Sequence, residues 1–158
     1  MPKVVRRVAE VPVELPKPAG RAQLAALPYV MLAGRVHVCL VTSRETRRWV
    51  IPKGWPERKV APHLQAAAEA MEEAGLAGII SPAAIGLYTY TKRMPRSSDV
   101  SCRVTVYPML VVSQALDWPE RKQRELAWMP ASEAATKVDE PELAALIARS
   151  NDMHLRTD

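Results

Sequence analysis

Residues 62–75, PHLQAAAEAMEEAG, constrain the chain more than any other stretch, because they specify one helix with a marked start and stop. Pro62 suits the first helical position, where no backbone N–H is needed, and Gly75 suits the left-handed residue that closes a helix. On a helical projection Leu64, Ala67, Ala68, Met71 and Ala74 share one face, while Glu69, Glu72 and Glu73 share the opposite one. Glu69 lies three and four residues before the other two, so the carboxylates are neighbours. Each such like-charge pair costs about 0.2–0.5 kcal/mol in water. They also crowd the C-terminal turns, where the helix dipole disfavours anions. Two explanations stay open from the helix alone. The face is simply solvated and screened, or it holds a hard divalent cation such as Mg²⁺ or Mn²⁺, which prefers clustered carboxylate oxygens.

The surrounding sequence decides what such a helix can pack on. Residues 23–32 and 35–43 are apolar, β-branched runs joined by Ala33 and Gly34, the pattern of a hairpin. Residues 47–52 read as a short third strand stopped by Pro52, and 53–61 as a loop. After the helix, 85–94 and 102–113 read as longer strands around a polar loop, and 115–125 as another loop. Residues 126–130 then form a short strand, 131–138 a helix and 141–150 a second helix opened by Pro141. Strands, one interior helix, more strands and terminal helices imply an α+β domain: a mixed sheet with helices packed on it. With 158 residues, 48% of them apolar and none Phe, one such domain is expected over 20–150. The first 19 residues, with four prolines, read as an extended arm, and 151–158 as a polar tail.

The strand, the glycine loop and the helix taken together carry a resemblance. RWVIPKGWPERKVAPHLQAAAEAMEEAGL is similar to the Nudix box of pyrophosphohydrolases, G-x5-E-x7-R-E-U-x-E-E-x-G-U with U apolar. Gly54, Glu69, Ala70, Glu72, Glu73, Gly75 and Leu76 stand at matching positions, over a span of 23 residues. Two positions depart from it: Val60 replaces the first Glu of the box, and Ala68 replaces its Arg, which in the family orients the neighbouring carboxylates. Glu57, in the same loop, is a candidate replacement for the missing acid. LPY, LVTSRETRRWVIPKGWP, the YTY…CRVTVYP strands and DWPERKQRELAWMPASEAA extend the likeness over about residues 20–148. Within the superfamily they look most like the diphosphoinositol polyphosphate phosphohydrolase branch and its bacterial relatives.

That resemblance implies a Nudix-type α/β/α sandwich, with the loop and helix of the box on one side of the mixed sheet. It also implies metal-dependent cleavage of a phosphoanhydride in a highly anionic small molecule, a diphosphoinositol polyphosphate or a dinucleoside polyphosphate. Glu69, Glu72 and Glu73 would be catalytic and, with the Gly54 carbonyl, would ligate Mg²⁺ or Mn²⁺. Arg44, Lys53, Gly54 and Arg103 would bind substrate, and Glu120 and Glu125 would help from further out. Two alternatives remain. One is another Nudix substrate, such as ADP-ribose, a nucleoside triphosphate or an RNA 5′ end, for which Trp55 and Tyr90 are the candidate base-stacking rings. The other is a polyphosphate-binding module weakened by the changes at Val60 and Ala68.

Net charge is +5, which suits an anionic partner without choosing one. Arg47, Arg48, Arg58 and Lys59 before the helix, and Lys92, Arg93 and Arg96 after it, are candidate phosphate contacts. Each is also explained as ordinary solvated charge. Arg121, Lys122 and Arg124 are weaker candidates, in a loop whose orientation the sequence does not fix. Trp49 and Trp128 are expected in or near the core, His37 outward or satisfied, and His63 too far from the acidic end to share a metal. No apolar run reaches the roughly 18 residues of a membrane span. Two cysteines, Cys39 and Cys102, each in an apolar run, read as buried thiols of a reducing compartment. The chain is therefore expected in the cytoplasm, as a monomer or homodimer, with no membrane partner and no nucleic acid beyond an RNA 5′ end.

Overall fold

Ala33 and Gly34 both have positive φ, 50° and 73°, the pair that a two-residue turn between right-twisted strands requires. The turn joins β1 (Arg21–Leu32) to β2 (Arg35–Thr42). The computed structural model describes residues 21–152; the arm over 1–19 and all but the first two residues of the tail over 151–158 lie outside the described residues. Chain order continues with β3 (Trp49–Val50), β4 (Lys53–Gly54), α1 (Pro62–Ala74), β5 (Leu76–Ile80), β6 (Gly86–Lys92), β7 (Val100–Gln114), β8 (Leu126–Pro130), α2 (Ala131–Lys137) and α3 (Pro141–Arg149).

All eight strands form one mixed sheet, ordered β3-β2-β1-β7-β5, with β4 on β1, β6 on β7 and β8 on β2. β1 and β7 run parallel from the Arg21–Cys102 pair to the Tyr29–Leu110 pair, and the other pairings are antiparallel. β1 and β2 pair only near their turn, from Tyr29–Val38 to Leu32–Arg35, and then splay apart. Residues 49–54 fill the opening. Val50 pairs with Val41 of β2, while Lys53 and Gly54 pair with Ala25 and Leu24 of β1. The third strand expected over 47–52 is thus a two-residue strand, and Lys53 and Gly54, read as loop, belong to the sheet. β5, which pairs with β7, was not anticipated by the strand pattern.

Both faces of the sheet are covered, so its central strands read as nearly continuous apolar runs rather than alternating ones. Ala25, Leu27, Val38, Leu40, Val104 and Val106 face α2 and α3, where Leu143, Leu146 and Ile147 complete the core. Leu24, Ala26, Cys39, Val41, Tyr107 and Met109 face α1. The expected α/β/α layering is therefore observed, and Cys39 and Cys102 are free and buried. Burial pushes the Cys39 thiol up to about 12.

α1 starts and stops where the sequence placed it, with Gly75 at φ 67° accepting the left-handed closing position. Its packed face differs from the apolar face of the projection. Leu64 is 52% exposed and Met71 37%, while Ala66, Ala70 and Ala74 are fully buried. Alanines bring the helix axis close to the sheet, and that approach also buries Glu73 at the edge of the packed face. Trp128, expected in or near the core, is 37% exposed on β8, whereas Trp49 packs against the core as expected.

Candidate active site

The acidic end of α1 is fixed by the loop between β7 and β8. The Trp118 indole N–H donates to the Glu73 carbonyl at 3.3 Å, the Glu120 N–H to the Glu72 carbonyl at 3.0 Å, and the Ala115 N–H to the Gly75 carbonyl at 2.8 Å. These bonds satisfy carbonyls that a helix C-terminus otherwise leaves open. The Trp118 ring lies over Gly75, where an added Cβ would meet ring carbons at 2.4 and 2.5 Å. Backbone conformation and close approach therefore both call for glycine there.

The three helix carboxylates occupy three different environments. Glu72 is exposed, and Glu73 is 6% exposed. Arg124 donates through Nη2 to Glu73 Oε1 at 3.2 Å, and the backbone N–H of Lys53 donates to Glu73 Oε2 at 3.3 Å. Burial pushes the Glu73 carboxyl up to about 7, against the opposing pull of the Arg124 and Lys53 charges. Glu69, half-buried, accepts from Gln65 Nε2 at 3.0 Å and lies on Gly54. A Cβ built on Gly54 would fall 2.1 Å from Glu69 Oε1. Desolvation raises the Glu69 carboxyl, offset in part by Gln65 and raised further by Glu72. Lys53 is pulled down, first by burial and against the pull of Glu73.

These groups open onto a cleft of about 1140 Å³. Its lining includes Gly54 and the acids Glu57, Glu69, Glu72, Glu73 and Glu120, the cations Arg44, Arg48, Lys53, Lys92, Arg93 and Arg124, and the rings of Trp55 and Tyr90. Arg44 contacts Glu120 Oε1 at 3.4 Å and stays 59% exposed at the rim. Arg48 pairs with Glu140 at 2.6 Å. Tyr90 donates its hydroxyl to Gln23 Oε1 at 2.5 Å, and burial raises its pKa. The Lys53 ammonium sits 4.9 Å from the Tyr90 ring centre and the Lys92 ammonium 5.0 Å from that of Trp55.

Of the residues expected to form the site, Glu69, Glu72, Glu73, Arg44, Lys53 and Gly54 thus come together, as do Glu57 and Glu120. Arg103 does not: it is exposed on β7 and outside the cleft lining, as are Arg47, Arg58, Lys59, Arg96 and Glu125. His37, half-buried, lies with Nδ1 3.2 Å from the Arg35 carbonyl, and the His63 ring packs near Tyr107. The loop 115–125 was expected as a loop but not in its orientation, and Arg124 was expected only as a weaker candidate for phosphate contact. The signal available was the Glu120–Arg124 spacing of four residues, one helical turn, which here forms a buried pair at 3.0 Å.

Among the described residues no three Asp, Glu, His or Cys side chains converge tightly enough to hold a metal ion in their present rotamers. The chemistry of the donors nevertheless fits a hard cation. Glu69, Glu72, Glu73 and Glu120 are among the carboxylates that border one cleft, and Glu69 rests in a cradle that a Cβ at position 54 would fill. Among the described residues, no helix is long and apolar enough to cross a membrane.

No family model matches the chain. It is 32% identical over 110 residues to Nudix hydrolase 12, mitochondrial, of Arabidopsis thaliana, covering 66% of this chain and 53% of that protein. It is 28% identical over 109 residues to the mitochondrial Nudix hydrolase 16 of the same plant, covering 67% and 60%. The chain thus spans little more than half the length of these curated relatives. Among solved structures, a Caenorhabditis elegans Ap4A hydrolase binary complex superimposes with a TM-score of 0.63 at 17% identity, over 85% of this chain and 98% of that one. The NUDIX domain of Shewanella oneidensis NrtR, complexed with ADP ribose, gives a TM-score of 0.61 at 16% identity, over 84% and 88%. At such identities the two structures speak for the fold.

Proposed function

We propose, on the premise that this chain belongs to the Nudix hydrolase superfamily, that it hydrolyses a phosphoanhydride bond in a small, densely anionic substrate. A diphosphoinositol polyphosphate or a dinucleoside polyphosphate fits best. The observation that carries this reading is that one cleft is lined both by carboxylates, among them Glu69, Glu72, Glu73 and Glu120, and by cations, among them Arg44, Arg48, Lys53, Lys92 and Arg93.

Glu69, Glu72 and Glu73, with the Gly54 carbonyl, would hold Mg²⁺ or Mn²⁺. Such an ion supplies Lewis acidity toward phosphate oxygens and a lowered pKa for bound water. The chain's own groups do the rest. Water oxygen bonds to phosphorus, the bridging P–O bond breaks, and the departing phosphate carries the electron pair away. Glu72, open to the cleft, or Glu73, buried beneath it, takes the proton from the attacking water. Arg44, Lys53 and Lys92 offset charge on the phosphates and hold them in line. Trp55 and Tyr90 both line the cleft, but each already has a cation over its ring. That arrangement favours phosphates over a sandwiched base. Two free, buried thiols fit a reducing compartment, the cytoplasm in our reading; the plant relatives are named as mitochondrial.

The test is phosphate release from inositol pyrophosphates, diadenosine polyphosphates, ADP-ribose and triphosphate-ended RNA, with Mg²⁺ or Mn²⁺. Turnover is expected with one of the first two classes and should fall at least about a thousandfold in Glu73→Gln. Turnover confined to ADP-ribose or RNA would reassign the substrate. Tight binding of every polyphosphate without release would make the chain a sensor rather than an enzyme.

A further inference from the structure

The guanidinium absent from α1 is present in space. Ala68 stands where the box pattern carries Arg, and it is exposed. Glu73, by contrast, is buried, and a buried carboxylate without a cation either neutralises or swings toward solvent. Arg124 supplies that cation from the loop before β8. Its side chain is 8% exposed. Nη2 reaches Glu73 Oε1 at 3.2 Å and Glu120 Oε1 at 3.0 Å, and Nη1 donates to the Thr42 carbonyl at 3.1 Å. The guanidinium is therefore held by α1, by its own loop and by the end of β2.

We propose that Arg124 is the positioning residue of this site, performing from the β7–β8 loop the task that the box assigns to position 68. The inference rests on the hydrolase reading above and deepens it. Arg124 fixes one oxygen of Glu73 while the Lys53 N–H fixes the other, so the plane of the carboxylate is set from two sides. Lysine cannot replace it, because a single ammonium does not span a strand carbonyl and two carboxylates in three fixed directions. Substrate binding is a poor alternative role. Both Nη atoms are engaged and buried, whereas Arg44 stands at the rim with most of its side chain free.

The experiment compares wild type, Arg124→Met, Arg124→Lys and Arg124→Ala in the same substrate panel. Arg124→Met should lower kcat about a hundredfold and leave KM within about threefold. Arg124→Lys should recover little, and millimolar guanidinium added to Arg124→Ala should restore part of kcat without altering KM. A risen KM with unchanged kcat, or full activity in Arg124→Met, would overturn the assignment. A second measurement needs no turnover. In the metal-free protein, the effects of Arg124→Met and Glu73→Gln on the urea midpoint should be strongly non-additive. Simple additivity would show that the two side chains are uncoupled, whether or not the wild type proves to be a hydrolase. If the wild type is inactive and the coupling stands, the hydrolase reading fails and the Arg124–Glu73 contact survives it.

Discussion

α1 and α3 cover opposite faces of one sheet and do so by opposite means. α1 meets the strands with Ala66, Ala70 and Ala74, and polar bonds from the 115–125 loop hold its far end. α3 meets them with the larger Leu143, Leu146 and Ile147, and adds Glu142, which accepts from Thr89 of β6. The difference teaches where chemistry can be built. A helix packed through methyl groups lies close enough for the next side chain around, Glu73, to be drawn under the strand edge. α3, packed through larger side chains, touches the sheet with a carboxylate in its first turn. There Glu142 Oε1 accepts from the Thr89 N–H and hydroxyl at 3.3 and 2.9 Å, and Glu142 is exposed rather than buried.

The comparison can be broken most forcefully on the α3 side. Leu143→Ala leaves a cavity in the larger core and should cost about 2–5 kcal/mol in urea denaturation. The folded fraction should keep its kcat, since Leu143 is not itself among the cleft-lining residues; a parallel fall in kcat would dissolve the contrast between the faces. Ala70→Leu tests the reverse weakness. There is no room for the larger side chain at a fully buried position, so stability should drop by about 1–3 kcal/mol. Unlike the α3 variant, this one should also lose turnover, because pushing α1 off the sheet takes Glu73 away from Lys53 and Arg124. Gly54→Ala is the mildest and sharpens the picture. The atoms nearest the new methyl are those of the Glu69 carboxyl, the far end of a flexible side chain, so the unfolding midpoint should stay within about 0.5 kcal/mol. Turnover should fall about tenfold, equivalent to about 1.4 kcal/mol of barrier, and an unchanged rate would remove Glu69 from the machinery.

What was readable in the sequence follows the same division. Pro62 and Gly75 announced the ends of α1 because capping is a local matter, and LAWMP announced β8 for the same reason. The packed face of α1 was not readable. Leu64 and Met71 outweigh alanine in any hydrophobic projection, yet the sheet selected the small residues for closeness. β5 escaped notice because LAGII is short, follows the helix cap directly and contains a register shift at Ala77 and Gly78. At the site, Glu69, Glu72 and Glu73 were legible because they sit on one element with a recognisable spacing. Arg124 was not, since its partners Glu73 and Thr42 lie 51 and 82 residues away. Arg103 illustrates the converse: the likeness and its charge suggested a role, but it is exposed on β7 and outside the cleft lining, although its cross-strand partner Thr89 is part of it.

The segment 49–54, wedged between β1 and β2, has one further consequence. It is hydrogen-bonded to a strand on either side, through Val50 to β2 and through Lys53 and Gly54 to β1. Sliding it along one neighbour would break its ladder with the other, so the floor of the cleft has no slack. Accommodation of a larger guest must come from the rim, where 43–46 and 93–95 border the opening. Lengthening or trimming those rim loops would retune which molecules are admitted and leave the reactive floor as it is.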